Sequence, residues 1–407
     1  MKENYLEALK WYGKAADMGN AEAKYKIGKI LWEEGKRYLL ESWEQGNIDA
    51  SEIIEGKQID APYVVFMSPK SFGISAVKGW NGTIEYSLDR KIWHNWDGEK
   101  IKSNVIYMRG YGNTVITGNN YEERAWAFEA EEKIICKGNI ENLLDYRICS
   151  NGEHPPMEGF CYCEMFKGCT SLKEAPVLPA MELAEDCYSS MFRDCTSLKE
   201  APALPATKLD LECYRSMFEG CTSLSEAPAL PAMELAKRCY DSMFKGCTSL
   251  KEAPSLPATE LVDLCYYEMF EGCTSLKEAP ALPAMKLALC CYRSMFKGCT
   301  SLNEVPALPA TELDAGCYSR MFEGCTSLNE VPALPATEFA VGCYSYMFSG
   351  CTSLMEAPVL PATNLDDSCF ELMFESSTLM EKYPVSSLTK FATGVAIYQC
   401  LKFLRNF

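Results

Sequence analysis

The stretch CYCEMFKGCTSLKEAPVLPAMELAED, residues 161–186, decides the fold, because the chain repeats it at an unchanging step of 26 residues. Its Cys-Tyr pair returns at every step and closes on Cys369-Phe370, which makes nine units. A fixed short period is typical of a solenoid, in which each unit contacts only its neighbours. Such arrays usually offer a surface to a partner and seldom build a catalytic pocket. The repeat therefore predicts an architecture and a class of function, but not a ligand.

Each unit divides into a segment of helical periodicity and a short strand. The apolar residues of the second unit share one face of a helix: Leu183, Cys187, Tyr188, Met191, Phe192 and Cys195. In most units a Gly follows the Met-Phe pair where a helix C-cap would stand. Two prolines per unit limit the strand to about three or four residues, since proline cannot donate to a sheet ladder. We predict an α/β solenoid over residues 161–386, closed by a cap helix over 387–407.

Three further segments precede the array. Residues 1–55 show helical spacing of apolar side chains and predict a helical hairpin. Residues 56–148 carry short runs rich in Val, Ile, Tyr and Trp between Gly, Asn and Asp turns, which predicts a small β-sandwich-like module. Residues 149–160 are then the lead-in that caps the first unit.

Two parts of the chain resemble known families. The stretch EALKWYGKAADMGNAEAKYKIG, residues 7–28, resembles the Sel-type repeat, a TPR-like helical hairpin. The pattern MFxGCTSLxEAPxLPAxxL, spanning about residues 161–375, resembles the BspA-like class of leucine-rich repeats. The second resemblance implies a bacterial protein of surface adhesion that binds host proteins, and hence a secreted or cell-surface location. The first residues have no signal-peptide pattern, which favours the cytoplasm instead.

The overall charge limits the partners. The chain has 56 acidic and 39 basic residues, a net charge of −17. Binding to nucleic acid or to anionic lipid needs a basic surface, so neither is expected as a partner. No apolar run reaches the roughly 18 residues that cross a bilayer, so membrane insertion is not expected. A protein partner remains, either basic or a host surface protein.

Seventeen of the 22 cysteines fall on two repeat positions. We interpret these columns as structural ladders of small buried side chains. Disulfides between stacked units are the alternative, because a spacing of about 4.8 Å allows them although it is long for a relaxed bridge. The central members of the two columns are Cys187, Cys213, Cys239 and Cys265, and Cys195, Cys221, Cys247 and Cys273.

Two columns of charged residues run along the array. One alternates in sign from Arg193 onward and predicts ion pairs between neighbouring units that help to set the register. The other is all glutamate, and its last five members are Glu252, Glu278, Glu304, Glu330 and Glu356. Like charges opposed in a sheet destabilise it. The glutamates are a solvated face copied by duplication, a docking stripe for a basic partner centred on the last three, or a weak Ca²⁺ site.

The sequence shows few features of an enzyme or of a cofactor site. The chain lacks the GxxxxGK[ST], GxSxG and HExxH motifs, and its two histidines, His94 and His154, stand in unrelated contexts. Cys161-x-Cys163 and Cys290-Cys291 overlap the cysteine columns and do not form paired CxxC motifs, so no metal is expected. We predict a protein with no cofactor that is not an enzyme.

The aromatic residues of 56–148 allow one further function. Their number suits either a stacking platform for sugar or the filling of a small core. Taken together, the sequence predicts a non-catalytic protein-protein interaction module that serves adhesion or host-protein binding. The alternatives are an intracellular scaffold that uses the Sel-type hairpin and the array, and carbohydrate binding by the 56–148 module.

Overall fold

The computed structural model describes residues 61–118, 126–356, 358 and 369–377. The predicted hairpin of residues 1–55 and the predicted cap helix of 387–407 lie outside the described residues. Within them, a β-rich part and a short helix precede the stacked repeats. The elements are β1 Val64–Ala76, β2 Thr83–Ser87, β3 His94–Trp96, β4 Ile101–Tyr111, β5 Trp126–Glu129, β6 Ile134–Lys137, α1 Asn142–Cys149 and β7 Leu172–Glu174.

All seven strands belong to one sheet, in the order β3-β2-β4-β1-β6-β7, with β5 also paired to β1. The prediction of a β-sandwich is therefore wrong for the described residues, which form a single open sheet. Strand β1 has 13 residues, so it pairs with β6 along its first half and with β5 along its second. Its register against β4 shifts between Met67 and Phe72, around Pro69, which cannot donate to the ladder. The spacing of strand-like runs in a sequence predicts the number of strands, but it does not predict the number of sheets that they form.

The sheet is apolar on both faces near β1. Val64 and Phe66 are fully buried in the main core, while Val65 and Met67 join a small cluster on the other face with Tyr107. This division follows from the alternation of side chains along a strand. A continuous apolar run thus marks a strand that is covered on both sides.

Helix α1 packs closely against β4. Asn113 fixes the contact, because its Nδ2 donates to the carbonyl of Leu143 at 3.0 Å and its backbone N–H donates to Leu144 at 3.1 Å. Gly110 of β4 permits the approach, since a Cβ at that position would lie 1.8 Å from the Leu143 oxygen. The sequence there requires glycine for a steric reason, not for a turn.

The first repeat is hydrogen-bonded directly to the sheet. Strand β7 pairs in parallel with β6, and the N–H of Ile140 donates to the carbonyl of Val177 at 3.0 Å. The hydroxyl of Tyr162 donates to the carbonyl of Ile140 at 2.9 Å. One buried apolar cluster runs from the sheet into the repeats, with the Phe128 and Phe166 rings stacked 5.2 Å apart. The domain boundary placed at 149–160 stays a prediction.

The helix predicted in each repeat is wrong for the repeats that the structure describes. Their Cys-Tyr and Met-Phe segments are successions of turns in which residues with positive φ recur, such as Tyr188 at +60° and Ser190 at +52°. The N–H of Met191 donates to Tyr188 three residues back, at 3.2 Å, while that of Phe192 donates to Met217 in the next repeat, at 2.9 Å. The helical spacing correctly marked the buried side chains. It did not reveal that alternate N–H groups bond to the neighbouring repeat.

The glycine after the Met-Phe pair has a different role from the predicted helix cap. Gly246, Gly272 and Gly298 have φ near +73°, a conformation that costs other L-residues about 1–2 kcal/mol. The second repeat has Asp194 there, at φ +60°, and Asp is among the residues that tolerate this region best. The column therefore marks a left-handed turn in the coil.

The short strand predicted behind the Cys-Thr-Ser-Leu block is present in the first repeat. There it is β7, of three residues, paired with the sheet. Further along the array it is reduced to single parallel bridges, such as Glu200 to Glu226 and Glu278 to Glu304. The prolines on either side explain its shortness, because they cannot donate to a ladder.

Two aromatic columns stack through the repeats. Tyrosine rings lie between 5.6 Å (Tyr162 and Tyr188) and 6.0 Å (Tyr214 and Tyr240) apart, with nearly parallel planes. The phenylalanine rings stack in the same way, and the ring centroids of Phe218 and Phe244 lie 5.6 Å apart. Each ring is buried and covers the ring of the next unit, so the core is one continuous stack.

We expect the tyrosine hydroxyls to differ in their effect on stability. Tyr162→Phe removes the hydrogen bond to Ile140 and should lower the free energy of unfolding by about 1–2 kcal/mol. Tyr240→Phe should leave it unchanged or raise it, because the Tyr240 hydroxyl is buried without a hydrogen-bond partner. Urea titration of both variants measures the difference. Equal losses in the two variants would contradict the role given to the Tyr162 hydroxyl.

Candidate functional site

The predicted binding residues share one exposed position of the repeat. Glu252, Glu278, Glu304, Glu330 and Glu356 are all exposed. Each stands two residues after a buried leucine and two before a proline, as with Leu250 and Pro254 around Glu252. The leucine anchors the segment in the core, so the carboxylate two residues later lies at the surface. The five side chains therefore form a column, which we call the carboxylate column.

Successive carboxylates of the column lie close together. The parallel bridge between Glu278 and Glu304 sets these residues directly side by side, and adjacent parallel strands are about 4.8 Å apart. Among the described residues, no carboxylate of the column takes part in an ion pair within 4.0 Å. The backbone of this segment is bonded to the next repeat, since the carbonyl of Lys277 accepts from the N–H of Asn303 at 3.2 Å. The column therefore presents unneutralised negative charge.

A groove of about 750 Å³ lies at the start of this column. Glu252 and Glu278 line it together with Lys251, Lys277 and Ser301. Glu304, Glu330 and Glu356, on which the sequence prediction centres, lie further along the array and do not line it. The structure therefore places the five glutamates in one column but separates the groove from its last three members.

The alternating column behaves as predicted, with ion pairs between neighbouring repeats. Arg193 pairs with Glu219 at 3.0 Å, and Glu271 pairs with Lys245 at 2.8 Å and with Lys297 at 3.6 Å. These charges neutralise one another within the array. The carboxylate column differs from them because its charges have no such partners.

The predicted cysteine columns line the interior. Cys187, Cys213, Cys239 and Cys265 and, in the second column, Cys195, Cys221, Cys247 and Cys273 are buried free thiols. In the second column each Sγ donates to a carbonyl of the preceding repeat, as Cys221 does to Phe192 at 3.0 Å. Burial raises the pKa of Cys187 and of Cys221 to about 12, so both thiols stay protonated at neutral pH.

The tryptophans of the β-rich part fill the core. Trp80, Trp96 and Trp126 are buried, with Trp80 and Trp96 stacked at 5.1 Å. Trp93 lies on the other face of the sheet, where the guanidinium of Arg109 covers its ring at 3.9 Å. The core interpretation holds for the three buried rings, and Arg109 covers one face of Trp93.

The described residues contain no group of three or more His, Cys, Asp or Glu side chains that could hold a metal ion. They also contain no helix long and apolar enough to cross a membrane.

A second cleft, of about 440 Å³, is lined by basic side chains and was not predicted from the sequence. We call it the arginine trough, after Arg193, Arg215, Arg238 and Arg293, which line it with Lys245. Its residues come from several columns of the repeat, so no single repeated position in the sequence indicates it. The sequence does contain one indication of it, because Arg215 and Arg293 stand in a column that holds serine at 189, 319 and 345.

A comparison with family models bears directly on the repeats. The model of the BspA type leucine-rich repeat region matches residues 162–277 and 291–400 with six copies, more than half of the chain. The chain belongs to the BspA-type leucine-rich repeat family. The comparisons do not support the Sel-type repeat at the N-terminus. No curated protein and no solved structure matches the chain.

As a BspA-type repeat protein, the chain should show a sharp contrast in thiol reactivity. Cys149 and Cys290 are the described cysteines that are not buried. Burial raises the pKa of Cys149 to about 12, so we expect iodoacetamide at neutral pH to label Cys290 first, since the thiolate is the reactive form. Peptide mapping by mass spectrometry measures this, with urea-unfolded protein as the control for full labelling. Equally fast native labelling of Cys221 or Cys247 would contradict the buried columns.

Proposed function

We propose that the stacked repeats form a solenoid that binds a protein partner without catalysis, through the carboxylate column. Leucine-rich repeats generally mediate protein-protein interaction, and the BspA type is normally non-catalytic. The observation that carries the proposal is the column itself: exposed, in register and unpaired. The partner surface centres on Glu304, Glu330 and Glu356, with Glu252 and Glu278 extending it.

The unpaired charges favour a basic partner. Carboxylates spaced about 4.8 Å apart reinforce one another's potential, because that distance is shorter than the Debye length of about 8 Å at physiological salt. Such a stripe steers a positively charged surface toward it and raises the association rate. In the last three units the residue before the glutamate is Asn303, Asn329 or Met355, so no neighbouring lysine weakens the field there.

The biological setting that we propose is bacterial surface adhesion or the binding of a host protein. The family resemblance supports this setting. The scaffold alternative rested in part on the Sel-type hairpin, which the comparisons do not support.

Reversal of charge at the column should weaken binding of a basic probe. We expect the variant Glu304→Lys, Glu330→Lys, Glu356→Lys to bind immobilised poly-lysine at least about tenfold more weakly, because each exposed pair contributes up to about 1 kcal/mol. The dependence of affinity on salt should also become less steep. Biolayer interferometry across a salt series measures both quantities, and poly-glutamate serves as the negative probe.

The matched control changes net charge equally at another exposed position. The triple variant Glu234→Lys, Glu260→Lys, Glu338→Lys lies in a different exposed column, in which lysine stands at 208 and 286. It should weaken binding by less than about threefold. An equal loss in both triple variants would mean that overall charge, and not the carboxylate column, attracts the probe. An unchanged affinity and salt dependence in the first variant would refute the column as a docking surface. The same pair of variants then screens a panel of host surface proteins.

A further inference from the structure

The arginine trough concentrates positive charge on a strongly acidic protein. Five cationic side chains line it with three carboxylates, Glu219, Asp241 and Glu268. Glu212 and Glu271 also pair with Arg215 and Lys245, so among the described residues Arg238 and Arg293 supply the cationic groups without a close carboxylate partner. The chain as a whole carries a net charge of −17. The trough shares no residue with the groove of the carboxylate column, because its residues come from the Cys-Tyr and Met-Phe half of the repeat. It is therefore a separate feature of the array.

Two of its guanidinium groups have unused hydrogen-bond donors. Arg238 lies 3.9 Å from both Glu212 and Asp241, which is beyond hydrogen-bonding distance. Arg293 forms no ion pair within 4.0 Å with the described residues, and its Nε is buried without a hydrogen-bond partner. Each guanidinium carries five N–H donors in a planar fork that matches a carboxylate or a phosphate. An arginine with unused donors at the wall of a cleft is thus suited to an anion.

In the part of the chain that the structure describes, the nearby carboxylates do not accept hydrogen bonds from Arg238 or Arg293. Asp241 accepts a hydrogen bond from the hydroxyl of Ser242 at 2.8 Å. Glu268 is engaged by Lys245 at 2.5 Å. Glu219 lies 3.0 Å from Arg193. Among the described residues, none of these three carboxylates accepts a hydrogen bond from Arg238 or Arg293, so the N–H donors of both guanidinium groups remain available to a ligand.

The spacing of the two arginines limits the ligand further. Arg238, Leu264 and Cys290 occupy the same position in successive repeats, and Arg293 follows Cys290 by three residues. Two repeat steps at about 4.8 Å each separate the backbone of Arg238 from that of Cys290, and so from the start of the segment that carries Arg293, by roughly 10 Å along the array. Leu264 and Cys290 both line the trough over this distance and provide a less polar surface. A small molecule with anionic groups at both ends fits this pattern.

We propose that the arginine trough binds a small dianion whose two carboxylate or phosphate groups lie roughly 10 Å apart, one on Arg238 and one on Arg293. The trough volume of about 440 Å³ is in the range of small-molecule sites. Negative charge elsewhere on the protein disfavours the same ligand, so binding is confined to this place.

Isothermal titration calorimetry of the full chain at fixed ionic strength tests the proposal with two series of probes. The first is α,ω-dicarboxylates of increasing length, and the second is inorganic polyphosphates of increasing length. We expect one series to bind with an affinity that peaks at a span of roughly 10 Å. The series that binds tells whether carboxylate or phosphate is preferred. A monocarboxylate of the same length should bind about tenfold or more weakly, since it engages one arginine only.

Substitutions then assign the site. Arg238→Gln and Arg293→Gln should each weaken the best probe about ten- to hundredfold, and Arg293→Lys should have an intermediate effect because it keeps the charge and loses the fork. Arg320→Gln is the matched control, since Arg320 lies outside the trough, pairs with Glu323 at 2.8 Å and covers the ring of Tyr346. It should change the affinity less than about twofold. Urea midpoints show that each variant is folded, and Arg293→Lys serves if Arg293→Gln is not.

Three outcomes would overturn the proposal. The first is no binding of either series to the unmodified chain. The second is an equal loss of affinity in Arg320→Gln, which would indicate a general charge effect. The third is a monocarboxylate that binds as tightly as the dicarboxylate, which would exclude the two-point contact.

Discussion

Main-chain hydrogen bonds between successive repeats are the constraint on which the rest of the structure depends. Alternate N–H groups of the turn segment donate to the residue 25 positions ahead, as Ser190 does to Arg215 and Phe192 to Met217. The intervening N–H groups donate three residues back within the same repeat. Together the two sets satisfy the buried backbone, which would otherwise cost about 1–3 kcal/mol for each unpaired group. These hydrogen bonds offset the conformational free-energy cost of the residues with positive φ.

This pattern explains why the period never varies. A one-residue insertion would place a donor where its neighbour presents no acceptor, and would also move every Tyr, Phe and Cys out of its column. The small thiol suits its column because its Sγ can reach a carbonyl of the preceding repeat, as Cys195 reaches Phe166 at 3.0 Å. A larger apolar side chain would have no such donor, and a more polar one would be costlier to bury.

The sequence was sufficient to predict the period, the buried columns and the β-rich part, because these follow directly from which residues are apolar and how they are spaced. It was not sufficient for the backbone of the repeat. The spacing of Leu183, Cys187 and Met191 is equally consistent with a helix and with a coil of alternating turns, since both place the same side chains inside. The choice depends on hydrogen bonds to the next repeat, which no single unit encodes. The carboxylate column was visible because one residue type repeats, whereas the arginine trough joins different positions of different units.

The two charged surfaces reflect which positions of the repeat are buried and which are not. Buried positions are held constant by packing, so identity at Tyr240 or Phe244 reflects the core alone. Exposed positions have no such requirement. The carboxylate column keeps its glutamate although like charges side by side destabilise the stack, so packing does not explain it. Arg293 stands in a column that holds serine at 189, 319 and 345, and among the described residues no ion pair accounts for its charge. Unneutralised charge is thus found on the exposed carboxylate column and on the half-buried Arg293, and these are the two places where a ligand would compensate it.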